Sequence, residues 1–175
     1  MKKCILLLAL IIGGYCYSQT PQKDSLDSYE LKLNAGYLIA GYPELIFEKT
    51  LTSETSIGIS LAFAVADNIN DQENRLFDFS VIPYYRVYFG DKPNADFFIE
   101  TNAAIYSQKK REGSFLKNEK EGGTGFGLGF NVGKKYRTKN GWIGEFSFGL
   151  SRTLINADKV DLIYPRAGII IGKAF

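Results

Sequence analysis

Three glutamates, Glu48, Glu100 and Glu145, and three cations, Lys32, Arg86 and Arg166, are the residues in this sequence best placed to do chemistry. A carboxylate can act as a general acid or base. Each of the six, however, falls on the same parity of an alternating segment as the others. Carboxylates and cations sharing one face can pair, and an unpaired buried ion would be costly. The expectation is a structural ion network made by Lys32, Glu48, Arg86, Glu100, Glu145 and Arg166, with no catalytic, cofactor-binding or metal-binding residue. The chain contains no histidine, which removes the usual general base, the commonest metal ligand and any Ser-His pair. The reading is therefore of a non-enzyme without a cofactor.

Two other stretches invite a chemical reading. Glycines are frequent between Gly122 and Gly133, but no G-x-x-x-x-G-K-[ST] or G-x-G-x-x-G occurs there, and the residues alternate as a strand would. Between Gln108 and Glu121, Lys109, Lys110, Arg111, Lys117 and Lys120 are interleaved with Glu112, Glu119 and Glu121. Such a loop could meet lipopolysaccharide phosphates, or simply be a solvated mixed-charge connection.

The elements that must position these residues are strands. Side chains alternate between the two faces of a strand, and the alternation is sustained along the chain. Leu31, Leu33, Ala35, Tyr37 and Ile39 form one face of a first segment, and Leu45, Phe47 and Leu51 continue it beyond a break at Gly41-Tyr42-Pro43. Ile57 to Val65 gives the cleanest period of two. In FDFSVIPYYRVYFG, Phe77, Phe79, Val81, Pro83, Tyr85, Val87 and Phe89 oppose Asp78, Ser80, Ile82, Tyr84, Arg86 and Tyr88. Phe97 to Ile105, Phe126 to Val132, Trp142 to Leu150 and Ile163 to Phe175 repeat the pattern, and Asn140-Gly141 is a hairpin signal. Eight strands and no amphipathic helix are expected. Most segments reach ten residues, nearer the roughly 9 to 11 of a transmembrane strand than the roughly 5 to 6 of a soluble one. Connections alternate between short and long, the first outer one, Gly41 to Pro43, being a short exception.

The chain begins as an export signal does: Lys2 and Lys3, an apolar run from Ile5 to Ile12, and Cys16-Tyr17-Ser18 before Gln19. Residues 1–18 read as a signal peptide, 19–29 as a flexible lead and 30–175 as one barrel domain. Cys4 and Cys16 both fall in the signal, so the mature chain would hold no disulfide and no thiolate site. A lipid anchor on Cys16 would call for a small residue where Tyr15 stands. Losing Lys2 and Lys3 lowers the 21 basic residues to 19, equal to the 19 acidic ones, which gives no footprint for a nucleic-acid partner.

Two solvents could meet the aromatic face. In a soluble, lipocalin-like carrier it would line a cavity for an apolar ligand. In an outer-membrane barrel it would meet lipid, and the small and charged residues would fill the interior. The second face is rich in Gly, Ser and Ala, as a crowded eight-stranded interior demands, and its charges can be matched. Lys49 and Lys173 lie on the apolar face near strand ends, where long side chains snorkel. Aromatics at strand ends, Tyr88, Phe89 and Phe97 around one turn and Tyr136 and Trp142 around another, are similar to an interfacial girdle. Pro83 and Pro165 each need a bulge or another unpaired amide position.

The segments LIFEKTLTSETSIGISLAFAVA, IPYYRVYF and DFFIETNAAIY resemble a family of small uncharacterised outer-membrane β-barrel proteins of Gram-negative bacteria, across nearly the whole mature chain. PRAGIIIGKAF, Pro165 to Phe175, resembles the C-terminal signal that hands barrels to the insertion machinery; Lys173 departs from its usual pattern. The expectation is an all-β, eight-stranded antiparallel up-and-down transmembrane barrel in the cell outer membrane. Its partners would be lipid and, through Phe175, the insertion machinery. Its role would be structural or surface-interacting, with a narrow solute pathway or a soluble apolar-ligand carrier as alternatives.

Overall fold

The computed structural model describes residues 28–65, 77–110 and 119–175. The expected signal peptide, most of the lead, the polar stretch after Val65 and the centre of the Gln108 to Glu121 loop, including Arg111, Glu112 and Lys117, lie outside the described residues. Eight strands follow in order: β1 (Tyr29–Asn34), β2 (Glu44–Thr50), β3 (Thr55–Phe63), β4 (Phe79–Phe89), β5 (Asp96–Gln108), β6 (Gly123–Arg137), β7 (Trp142–Ile155) and β8 (Ile163–Ala174). Each pairs antiparallel with its sequence neighbours, and β8 returns to β1 to close the barrel.

Alternation sets the wall's two faces. Leu31, Phe47, Ile59, Ile99, Phe130, Phe148 and Ile171 point outward and are exposed, while Lys32, Glu48, Arg86, Glu100, Glu145 and Arg166 point inward and are buried. The barrel's two ends differ. At one, here the turn end, Leu51 to Glu54, Gly90 to Ala95 and Thr138 to Gly141 reverse the chain tightly, and Tyr29 and Phe175 exchange backbone hydrogen bonds of 3.2 and 2.9 Å. Gly141 holds the last of these turns at φ 78°, a left-handed conformation that suits glycine. The opposite loop end carries the longer connections.

The first of those connections differs from expectation. The alternation through Ala35, Tyr37 and Ile39 does not continue as strand: β1 stops at Asn34, and Ala35–Ile39 forms a short helix, α1. The Asn34 carboxamide oxygen accepts from the Tyr37 amide at 3.2 Å, capping the helix, while its amide nitrogen donates to Glu44 at 2.6 Å. A side chain that serves the backbone this way competes with the ladder. With α1 included, the first connection is long like the others at its end, so the short exception disappears.

This early stop also accommodates Pro165. The β1–β8 ladder runs only from Glu30↔Ala174 to Asn34↔Ile170. Above it, the Asn34 amide donates to the Ala167 carbonyl at 3.1 Å and the Tyr37 hydroxyl donates to the Pro165 carbonyl at 3.3 Å. The N–H and C=O of a strand residue face the same neighbour, so the missing N–H of Pro165 falls where no ladder exists. Pro83 is handled differently. β4–β5 pairing lapses at Ile82 and Pro83 and resumes in unchanged register at Tyr84↔Asn102, a gap rather than a bulge.

The loop end of the interior is filled by apolar groups. Tyr42, Ala62, Phe77, Ile82, Ala104, Tyr106, Val160 and Tyr164 form one buried cluster. The Phe77 ring lies tilted 4.9 Å from Tyr42 and 5.5 Å from Tyr164, and Tyr106 lies 4.6 Å from Tyr164. Phe77 was expected on the outer face with Phe79; it is instead buried inside. β4 begins only at Phe79, so Phe77 precedes the pleat and turns into the barrel mouth.

Candidate functional site

The turn-end part of the interior holds the ion network, and the pleat of six strands delivers its six expected members. Lys32 comes from β1, Glu48 from β2, Arg86 from β4, Glu100 from β5, Glu145 from β7 and Arg166 from β8. The Arg86 guanidinium bridges three carboxylates. Its Nε donates to Glu100 at 2.8 Å, one terminal nitrogen donates to Glu48 at 3.1 Å and Glu145 at 2.9 Å, and the other donates to Glu145 at 2.7 Å. The two bonds to Glu145 form a bidentate pair, the strongest geometry open to these groups. Lys32 donates to Glu48 at 2.6 Å and Glu145 at 3.1 Å. Arg166 donates to Glu100 at 2.5 Å and lies 3.6 Å from Glu44. All six expected residues therefore meet in one network.

Several members were not singled out from sequence. Lys135 donates to both oxygens of Glu30, at 3.0 and 2.9 Å, to Glu48 at 2.9 Å and to the Tyr88 hydroxyl at 2.8 Å. Tyr84 and Tyr88 donate to Glu48 at 2.8 and 2.6 Å. Glu48 thus accepts from Lys32, Lys135, Arg86, Tyr84 and Tyr88, and is the centre of the network. Glu44, at the boundary with the aromatic cluster, accepts from Asn34 and Ser60. Tyr88, expected in the outer girdle, is inside instead, because it shares the parity of Arg86. The same parity rule could have found Glu30, Glu44 and Lys135.

Aromatic rings and glycines shape the space around these charges. The Arg86 guanidinium lies 4.0 Å from the Phe98 ring centroid and 4.7 Å from that of Tyr84, a cation–π arrangement. A Cβ on Gly58 would sit 2.3 Å from the Tyr84 ring, and one on Gly133 would sit 2.5 Å from Phe98. Only glycine leaves room for the rings that hold Arg86 and Glu48.

The charges nearly balance. Among the described residues, five buried carboxylates, Glu30, Glu44, Glu48, Glu100 and Glu145, face four buried cations, Lys32, Arg86, Lys135 and Arg166. Arg137, partly exposed at the turn end, lies 3.9 Å from Glu30 and supplies a fifth. Every one of these carboxylates is engaged by a cation. Among the described residues no cluster of His, Cys, Asp or Glu is placed to hold a metal ion.

The fold and its interior define an all-β, closed, eight-stranded antiparallel barrel with an apolar outer wall and a filled, ionic interior. The chain belongs to the family described as Protein of unknown function (DUF3575), whose model matches residues 4–166. Among solved structures, it is similar to the N-terminal β-barrel domain of Pseudomonas aeruginosa OprF. The two are 13% identical, the match covers 85% of this chain and 98% of that one, and the TM-score is 0.58. A likeness at that identity is one of fold. No curated protein matches the chain.

Proposed function

We propose that the protein is an integral barrel of the outer membrane, with a structural or surface-interaction role and no catalytic activity. One observation carries this reading: the barrel's polarity is inverted relative to a water-soluble protein. Phe148 is 65% exposed on the outer wall while Glu48 and Glu100 are 0% exposed inside. A contiguous apolar wall of this extent would be an aggregation liability in water but is the surface that a bilayer solvates. A closed barrel also leaves no unpaired strand edge in lipid, where an unsatisfied amide is costly. In this reading Phe175 ends the segment read by the insertion machinery.

The apolar face lies outside, so it does not line the cavity that a soluble carrier would use. A general pore is disfavoured too, since open aqueous channels take about 16 to 18 strands, and here Arg86 and its three glutamates occupy the interior. A narrow pathway would have to run along those charges. Liposome permeability that changes on Arg86→Ala would favour it.

Membrane fractionation with heat-modifiable gel migration tests the main reading. Recovery in the outer membrane, with the unheated protein migrating apart from the heated one, is expected. Recovery as a soluble protein with no such shift would overturn it.

A further inference from the structure

The outer wall carries few charges, and their signs and positions are not even. On the outward face of the described strands stand Lys49 of β2, Lys134 of β6, Arg152 of β7 and Lys173 of β8, all cationic, with no carboxylate among them. All five buried carboxylates face inward. Three of the four cations are at the turn end, and each lies over an aromatic ring of that rim: Lys49 Nζ 5.4 Å from Tyr29, Lys134 Nζ 5.2 Å from Tyr136 and Lys173 Nζ 5.1 Å from Trp142.

These pairs occupy one arc of the circumference, running from β6 through β7, β8 and β1 to β2. The β6–β7 turn beneath the arc adds Lys139 and carries no acid. The rest of the rim has a different composition. On β4 and β5 the rim residues are Phe89 and Phe97, 6.2 Å apart, with no outward basic residue, and the turn between them carries Asp91 as well as Lys92.

We propose that this basic and aromatic arc is a binding surface for anionic phospholipid headgroups. The proposal rests on the membrane reading above and deepens it by naming the lipid class and the side of the barrel. Interfacial aromatics sit at headgroup level, so a lysine stacked over such a ring holds its ammonium at the depth of the lipid phosphates. Cation–π contact leaves the ammonium's N–H donors free for an anion. Lys173 uses one on the Asn140 carbonyl, which fixes its headgroup at the rim and leaves two. The β2–β3 turn at the arc's edge carries one acid, Glu54; on the outward strand faces themselves the three lysines meet no carboxylate, and together they select a negatively charged headgroup over a zwitterionic one. On the β3–β5 side the rim offers aromatic contact without that selection.

Trp142 is the sole tryptophan of the chain and lies within the arc, paired with Lys173 across β7 and β8, so its fluorescence reads this lipid shell. The folded full chain is reconstituted into phosphatidylcholine vesicles containing phosphatidylglycerol, with one lipid or the other brominated high on its acyl chains. Quenching of Trp142 should show phosphatidylglycerol favoured about two- to fivefold at low salt. The preference should fall toward unity at about 1 M salt. Lys134→Gln/Lys173→Gln should abolish it, and Arg152→Gln, toward the other end of the wall, should leave it intact. Equal quenching by both lipids in the unaltered protein, or a preference surviving the double substitution, would overturn the arc while leaving the membrane reading in place. Quenching by neither lipid would overturn the membrane reading and the arc with it.

Discussion

The interior of the barrel is filled by two regions that share the same wall but are held by different forces. Toward the turn end, Glu48, Glu145, Arg86, Lys32 and Lys135 are locked by directional contacts of 2.6 to 3.1 Å. Toward the loop end, Tyr42, Phe77, Ile82, Val160 and Tyr164 are packed ring against ring, with the β7–β8 connection folded across the mouth to supply Val160. The first region depends on charge balance and the second on volume. Removing an atom from the second leaves a hole; removing a charge from the first leaves its partners buried without compensation. The two regions should therefore answer differently to substitution.

The largest effect is expected for Arg86→Met, which keeps volume and deletes the charge. Breaking a buried ion pair from one side is destabilising by about 3–5 kcal/mol, and here Glu48, Glu100 and Glu145 all lose a donor. The buried interior would go from one excess carboxylate to two. Arg86→Met/Glu145→Gln returns that excess to one and should recover part of the loss. Urea unfolding of the reconstituted barrel measures both; a double variant no more stable than the single would show that balance of charge is not what holds this region.

Phe77→Ala probes the aromatic region. Truncating a buried phenylalanine typically destabilises by about 3–5 kcal/mol; the lower end is expected because Phe77 lies at the barrel mouth. No charge substitution should rescue it. Combined with Arg86→Met, its effect should add to within about 0.5 kcal/mol, as for sites without shared partners. Coupling well above that, measured by a double-mutant cycle, would merge the two regions into one.

The two regions were not equally legible in the sequence. The ion network was, because period-two alternation assigns parity, and Lys32, Glu48, Arg86, Glu100, Glu145 and Arg166 share the inward one. Lys135 was obscured by its neighbour: Lys134 and Lys135 are adjacent and face opposite ways, and only parity carried forward from Phe130 and Val132 separates them. The contact of Glu30 with Lys135 spans 105 positions and depends on how the strands stagger around the closed barrel. The aromatic region was largely hidden. Val160 comes from a connection without periodicity, Phe77 precedes its strand, and Tyr37 belongs to a segment whose alternation continued although Asn34 had already diverted the backbone into α1.

Gly58→Ala sharpens the contrast from inside the ion region, since it adds volume where charge is said to govern. The new Cβ would meet the Tyr84 ring at 2.3 Å and the Phe47 carbonyl at 2.7 Å. The ring would shift and weaken its bond to Glu48. Overpacking of this kind is destabilising by about 1–3 kcal/mol. Gly144→Ala, where a Cβ would meet nothing within 4 Å, should change unfolding by less than about 0.5 kcal/mol. Equal losses at both glycines would mean that the interior is not the tighter side of the wall.

Within the interior the smallest effect is expected for Tyr106→Phe, which removes a polar contact from the region held by shape. The Tyr106 hydroxyl meets the Thr153 hydroxyl and donates to the Asp161 carbonyl at 2.6 Å. Deleting it does not orphan that carbonyl, because Thr153 also donates to it at 2.6 Å. The ring remains 4.6 Å from Tyr164, so no cavity forms. The loss should be about 1 kcal/mol, the net worth of one hydrogen bond, against several for Arg86→Met. If Tyr106→Phe instead matched Arg86→Met in urea unfolding, the mouth of the barrel would depend on directional bonds as strongly as the ion network does. The division of the interior into a charge-held and a shape-held region would then fail.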